Sequence, residues 1–281
     1  MSNTINSEIP IVYIHFGNCG YIRDAINVTK ITNSDVILLT DNVNNYTDIE
    51  RVYPIVLDDR INEFRLVYKH LSTNNESFEL LCFNRWFILY NFMKKHNISN
   101  CMYCDSDCML VNDISKYINT IKTNAPYISG TSHFKENVAV SPHATYISDI
   151  TILEEILTFF IDTYKDDFES LVKIRTEEIG PAGGICDMTL FHVYKKLYPD
   201  KLKLFSIPVE HEDKKYVFDH NINVPGQYEH SNGIKKLYTK DSELYMKELA
   251  TDEHHFVCNL HFQGSAKQYI GQVKTLLCNG K

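Results

Sequence analysis

The sequence predicts an α/β fold, with a mainly parallel sheet flanked by helices and an irregular α+β carboxyl-terminal half. Three observations predict it. Short apolar, β-branched runs recur through the first hundred residues, helical stretches separate several of them, and turn residues end the first two. Residues 10–16 (PIVYIHF) form the first such run and stop at Gly17-Asn18-Cys19-Gly20. Residues 21–31 suit a helix, residues 35–40 (DVILLT) a second buried strand ending at Asp41-Asn42, and residues 53–57 a third. Residues 78–96 are apolar on most faces and end in Lys94, Lys95 and His96, basic residues that suit a helix carboxyl terminus. Residues 101–104 (CMYC) read as a strand running directly into Asp105.

In the second half, residues 149–178 are helical in pattern and the run Gly180-Pro181-Ala182-Gly183-Gly184 breaks them. Residues 187–198 read as a further helix. Short strand-like runs follow at 202–206, 215–218, 235–238 and 255–261, and a terminal helix at 266–277. With no internal repeat and no Pro/Ser-rich linker, the expectation is one domain over 1–281. Its halves meet near residue 112, with 1–112 and 113–281 dividing the labour.

Composition bounds the function. A net charge of −8 argues against a duplex nucleic-acid binder, whose affinity rests on neutralising phosphates. It leaves room for one phosphate-bearing small ligand. The amino-terminal run lacks a basic leader, and no apolar stretch is long enough to cross a bilayer. The eight Cys show no framework spacing, so reduced thiols and a cytoplasmic setting are expected.

Two segments carry chemistry. Asp105-Ser106-Asp107 sets two carboxylates just past a strand end, where parallel sheets collect ligands, and such a pair suits Mg²⁺ or Mn²⁺ beside a phosphate. A solvated acidic turn is the bland alternative. Near the other end, His261 closes a strand-like run, with Gly264 three residues on and Lys267 six on. Gly264 permits close backbone approach, Lys267 offers a point charge to a diphosphate, and His261 an imidazole ligand. Alone, that segment also reads as a surface loop.

Together the two segments resemble a known family. Asp105-Ser106-Asp107 looks like the DxD motif of GT-A nucleotide-sugar glycosyltransferases. His261-Phe262-x-Gly264-x-x-Lys267 resembles the HFxGxxKPW signature of the glycogenin-like and bacterial galactosyltransferase-like retaining family, with Gln268-Tyr269 in place of the closing Pro-Trp. The resemblance implies a GT-A-like (Rossmann-like) fold and a metal-dependent transfer of a sugar from a nucleotide diphosphate, UDP first, to a glycan or glycolipid hydroxyl with retention. Polysaccharide biosynthesis with peripheral membrane contact is the implied setting. Asp105, Asp107 and His261 would bind Mn²⁺ (or Mg²⁺). Gly264, Lys267 and Ser106 would contact the donor, as would His15, Phe16 and Gly17 at the end of the first strand and Asp41 after the second.

Four positions keep two readings each. Asp41-Asn42 and His15–Gly17 also suit plain turns. Arg85, inside an apolar helix beside Trp86, needs an anion, either the donor diphosphate or a structural carboxylate. Asp187, after the glycine break, is a first-turn helix residue or the acceptor-side carboxylate, with Glu177, Glu178 and His143 as lesser candidates. Three other readings compete. A haloacid-dehalogenase-like phosphatase would use Asp105 and Asp107, but its nucleophile follows the first strand and its small fourth residue is Met109 here. A zinc module on Cys101, Cys104 and Cys108 has only one Cys-x-x-Cys to rest on. A non-catalytic glycan-binding module on the same fold is the third alternative.

Overall fold

The computed structural model describes residues 9–121, 125–132, 139–205, 208–240 and 243–279. Strand β1 (Ile11–His15) is buried along its whole length and leads through Cys19 into α1 (Gly20–Thr29). Then come β2 (Val36–Thr40), β3 (Val52–Pro54), α2 (Asp59–Val67) and α3 (Glu76–Lys95). The Asn75 side chain caps α3 by accepting from the Ser77 N–H, and Lys94 and Lys95 close it, as the charge pattern predicts. The third strand is shorter than the sequence implies. Pairing with β2 stops at Thr40 and Pro54, the last bond running from the Ile55 N–H to the Thr40 carbonyl at 2.9 Å, because β2 itself ends there in the Asp41-Asn42 turn.

The middle of the chain gives β4 (Cys101–Cys104), β5 (Cys108–Leu110), α4 (Ile114–Ile121), β6 (Ile128–Ser132) and β7 (Val140–Ile147). The predicted helix over 149–178 divides into α5 (Ile150–Asp166), α6 (Phe168–Lys173) and a π-helical turn over Ile174–Ile179. After α7 (Asp187–Leu197) come β8 (Leu202–Leu204), β9 (Val209–His211) and β10 (Lys214–Phe218). The strands end with β11 (His230–Ser231), β12 (Ile234–Lys235), β13 (Tyr238–Lys240), β14 (Glu243–Lys247) and β15 (His254–His261). A 3₁₀ turn over Gly264–Tyr269 leads into α8 (Ile270–Asn279).

The main sheet has the order β3-β2-β1-β4-β7-β6-β8, with β7 antiparallel to both its neighbours and the other pairs parallel. Ile11 and Tyr13 face one core cluster, with α1 and α4, while Val12 and Ile14 face the other, with α3, α5 and α7. Burial on both faces explains why the strands read as unbroken apolar runs. Strand order reverses between β1 and β4, and the crevice at such a switch point is where open α/β sheets bind ligands. A second sheet, β13-β14-β15-β10-β9, takes β5 as an extra antiparallel partner of β15. Through β5 the two halves of the chain share a sheet. The seven described cysteines outside Cys278 are free thiols, and Cys278 lies outside the residues whose side chains are described. Among the described residues, no helix is long and apolar enough to cross a membrane.

Candidate active site

A cleft of about 540 Å³ opens at the carboxyl ends of β1 and β4. His15, Phe16, Arg85, Asp105, Ser106, Asp107, Asp187, His261, Gly264 and Lys267 all line it, so ten of the twelve principal candidates converge there, while the lesser candidates Glu177, Glu178 and His143 do not line it. Gly17 and Asp41 are not among the lining residues. Asp41 accepts the Gly17 N–H at 3.0 Å, and Gly17 has φ +85, so these two form the turn after β1.

The local fold explains the convergence. Beyond β4 the chain turns tightly, with the Cys108 N–H bonding the Asp105 carbonyl at 2.9 Å, and re-enters as β5. Cys108 then pairs with His261, and the Phe262 N–H bonds the Asp107 carbonyl at 2.9 Å. Two residues about 150 positions apart in the chain therefore sit side by side. One ligand atom from each of Asp105, Asp107 and His261 lies within 4.8 Å of the other two. Phe262 is fully buried and anchors the turn, after which Gly264, at φ +60, starts the 3₁₀ turn that carries Lys267.

His261 is oriented from behind. Its Nδ1 lies 2.6 Å from the His220 carbonyl, which can only accept, so Nδ1 carries the proton and Nε2 faces Asp107 Oδ1 at 3.6 Å. Nε2 and Oδ1 are both electron-rich, so a cation or a proton must lie between them. His143 stacks on the His261 ring at 4.0 Å with the planes 6° apart. It is fully buried, takes Ser141 Oγ at 2.9 Å on Nδ1 and faces the Asp219 carbonyl at 3.1 Å through Nε2. His143 is thus a support behind His261 and does not line the cleft. Burial pushes the His143 pKa well down, and the neighbouring His261 and His220 push the same way, so His143 stays neutral. Burial also opposes charge on His261, but Asp107, Asp105 and the His220 carbonyl outweigh it and raise its pKa. Asp107 is the mirror image. Burial would raise its pKa, and His261 and Lys267 hold it down at about 2. Lys267 Nζ reaches Asp107 Oδ2 at 2.5 Å.

Arg85 resolves one open reading. Its guanidinium bridges two carboxylates, Nη1 to Asp105 Oδ1 and Nη2 to Asp187 Oδ2, both at 2.5 Å. Its charge is matched within the protein, and the side chain still borders the cleft. Asp187 is the first residue of α7, with Cys186 as the N-cap. It is almost wholly buried, and its Oδ2 also accepts Trp86 Nε1 at 2.9 Å while Oδ1 takes the Met188 N–H. Glu177 and Glu178 lie in the π-helical turn, pair with Lys173 and Lys196, and do not line the cleft. Two supports escaped sequence reasoning. Tyr103 donates its hydroxyl to Asp105 at 2.6 Å, and Trp86 orders Asp187. Glu79, buried on the first turn of α3, also lines the cleft and accepts from Ser72 and Asn74. All three sit in runs that read as core, and only the position of Trp86 beside Arg85 hinted at more.

The competing sites do not assemble. Cys101 packs against Met93 Sδ at 3.5 Å, and no three-cysteine cluster of metal-binding geometry occurs among the described residues. Asp105 follows the fourth strand of the sheet and bonds Arg85 and Tyr103, which gives the phosphatase reading nothing to rest on.

No family model matches the chain, and no curated protein sequence matches it. Solved structures do. The galactosyltransferase LgtC, in complex with donor and acceptor sugar analogs, superposes with a TM-score of 0.52 at 9% identity over 97% of this chain and 96% of that one. An active-site mutant of LgtC gives 0.53 at 10% identity over the same shares. The fold is GT-A. Mouse xyloside xylosyltransferase 1 is a more distant structural match, at a TM-score of 0.49 and 9% identity over 70% of this chain and 84% of that one. The GT-A fold accounts for the mixed sheet with its one reversed strand.

Proposed function

We propose that the protein is a metal-dependent glycosyltransferase that moves a hexosyl group from a nucleotide diphosphate, UDP first, to a hydroxyl of a glycan or glycolipid. One observation carries the reading. Two carboxylates and an imidazole with its Nε2 turned inward share one end of a cleft with Lys267, at the switch point of a GT-A sheet. The donor set suits Mn²⁺ or Mg²⁺, because the four carboxylates that line the cleft, Glu79, Asp105, Asp107 and Asp187, share it with two permanent cations, Arg85 and Lys267. Asp105, Asp107 and His261 would hold the ion, which when bound supplies electrophilic assistance to a departing diphosphate.

The chain's own residues do the rest. Lys267 releases Asp107 and offers Nζ to a phosphate oxygen, adding charge where it develops. Arg85 and Tyr103 lock Asp105, and Arg85 and Trp86 lock Asp187, so Asp105 would meet the ion and Asp187 the sugar in fixed orientation. Ser106 and Gly264 border the diphosphate end. His15 and Phe16 border the nucleoside end, and the turn of Gly17 and Asp41 shapes that wall. Asp187 bears on stereochemistry. Its Oδ2 already accepts from Arg85 Nε, Arg85 Nη2 and Trp86 Nε1, and its Oδ1 from the Met188 N–H, bonds that suit a carboxylate held for positioning. Retention is the outcome we propose, with the acceptor proton passing to a donor phosphate oxygen and Asp187 positioning the sugar.

The test is a screen of UDP- and GDP-sugars for hydrolysis in Mn²⁺ and in EDTA. Metal-dependent release of UDP from one sugar, lost in Asp105→Ala and Asp107→Ala proteins that remain folded, is the expected result. No hydrolysis of any donor, with nucleotide sugars still bound, would make the protein a binding module instead.

A further inference from the structure

A second side-chain cluster lies at the opposite end of β15. His255 and His261 are six residues apart on that strand, so the two clusters are separated by about 20 Å at ~3.3 Å per residue. Glu248, Glu253 and His255 bring one ligand atom each within 4.8 Å of the other two. Acidic surface groups gather often without consequence, and the weight here falls on His255. Its side chain is 97% buried, its Nδ1 lies 3.0 Å from the Tyr228 hydroxyl, and its Nε2 has no hydrogen-bond partner. That bare Nε2 points at Glu253 Oε2, 3.7 Å away. A buried ring nitrogen without a partner costs free energy unless something fills the gap.

We infer that Glu248, Glu253 and His255 form a second metal site, for a borderline divalent cation of the zinc type. One imidazole and two carboxylates make a common donor set for zinc, with water as the fourth ligand. Tetrahedral ligands at ~2.1 Å stand about 3.4 Å apart, so the carboxylates need close in by only about an ångström. Tyr228 supplies the outer partner that fixes the ring with Nε2 inward. The ligands bracket one turn, closed by the Glu248 N–H on the Glu253 carbonyl at 2.9 Å, so the ion would pin the β14–β15 connection. A cation already tests the position. Lys215 Nζ lies 2.5 Å from Glu253 Oε2, on a side chain exposed enough to swing away. This site does not depend on the proposed activity.

Zinc alone is the probe. Full-length protein stripped with EDTA is dialysed against Zn²⁺ and its bound metal measured. The expected stoichiometry is two for the wild type, one for His255→Gln and one for His261→Gln, whose remaining zinc shows one imidazole among oxygen ligands by X-ray absorption. Glu253→Gln, an exposed change, should lose the same equivalent without threatening the fold. Lys215→Gln removes the competing ammonium and should tighten zinc several-fold. One equivalent in the wild type, retained in His261→Gln and lost in Glu253→Gln, would support this site while removing the metal from the cleft. Zinc binding unchanged by both His255→Gln and Glu253→Gln, or no gain in affinity with Lys215→Gln, would overturn it.

Discussion

At the scale of single residues, the cleft is a chain of paired charges: Lys267 to Asp107, Asp105 to Arg85, and Arg85 to Asp187. Each member is useful because its neighbour holds it. Buried carboxylates left without partners would take up protons, whereas Asp107 stays ionised down to a pH of about 2 under the influence of His261 and Lys267. On the proposed reading, Asp187 positions the sugar and is not a base. Asp187→Asn should raise the acceptor KM and lower kcat by less than about tenfold. A fall in kcat of ~10²–10⁴-fold, the loss expected when a general base is removed, would contradict the positioning role, as would an inverted anomer by NMR. The sequence made Asp105, Asp107, His261 and Lys267 legible because acidic and basic residues stand out against apolar strands. Tyr103 and Trp86 were not legible. Their polar tips do the orienting, while their rings read as core.

At the scale of elements, the decisive contacts are backbone ones. Strands β1, β2 and β4 and helix α3 could be read from sequence, since burial on both faces writes itself as unbroken apolar runs. The three residues of β5 could not, because nothing local distinguishes them from an apolar exit. Their partner in β15 lies about 150 residues away, and that pairing alone sets His261 beside Asp107. The break between α5 and α6 was also hidden, the apolar period continuing across it. A glycine marks another close approach. The Ile185 N–H bonds the Leu71 carbonyl at 3.0 Å, and a Cβ built on Gly184 would stand 2.3 Å from Ser72 Cα. Backbone cannot yield as a side-chain tip can, so Gly184→Ala must push apart the segments leading into α3 and α7, which carry Arg85 and Asp187. A destabilisation of ~1–3 kcal/mol is expected from such overpacking, read as a lowered denaturant midpoint. A midpoint equal to that of the wild type would show that the approach is not tight.

At the scale of the molecule, the chain leaves the main sheet at β4 and enters the second sheet as β5, paired with β15, and the cleft lies at the end of the main sheet beside that pairing. The β1–β4 side supplies His15, Phe16, Asp105 and Asp107, and the second sheet supplies His261 with Gly264 and Lys267 beyond it. A ligand bridging the carboxylates and Lys267 would tie the two parts together, so the native state alone should bind it. Calorimetric titration of UDP tests this most directly. Binding of one UDP per chain in Mn²⁺, at least tenfold weaker in EDTA and in Asp107→Asn, is what the account predicts. Equal affinity for UDP in EDTA and in Mn²⁺ would contradict it.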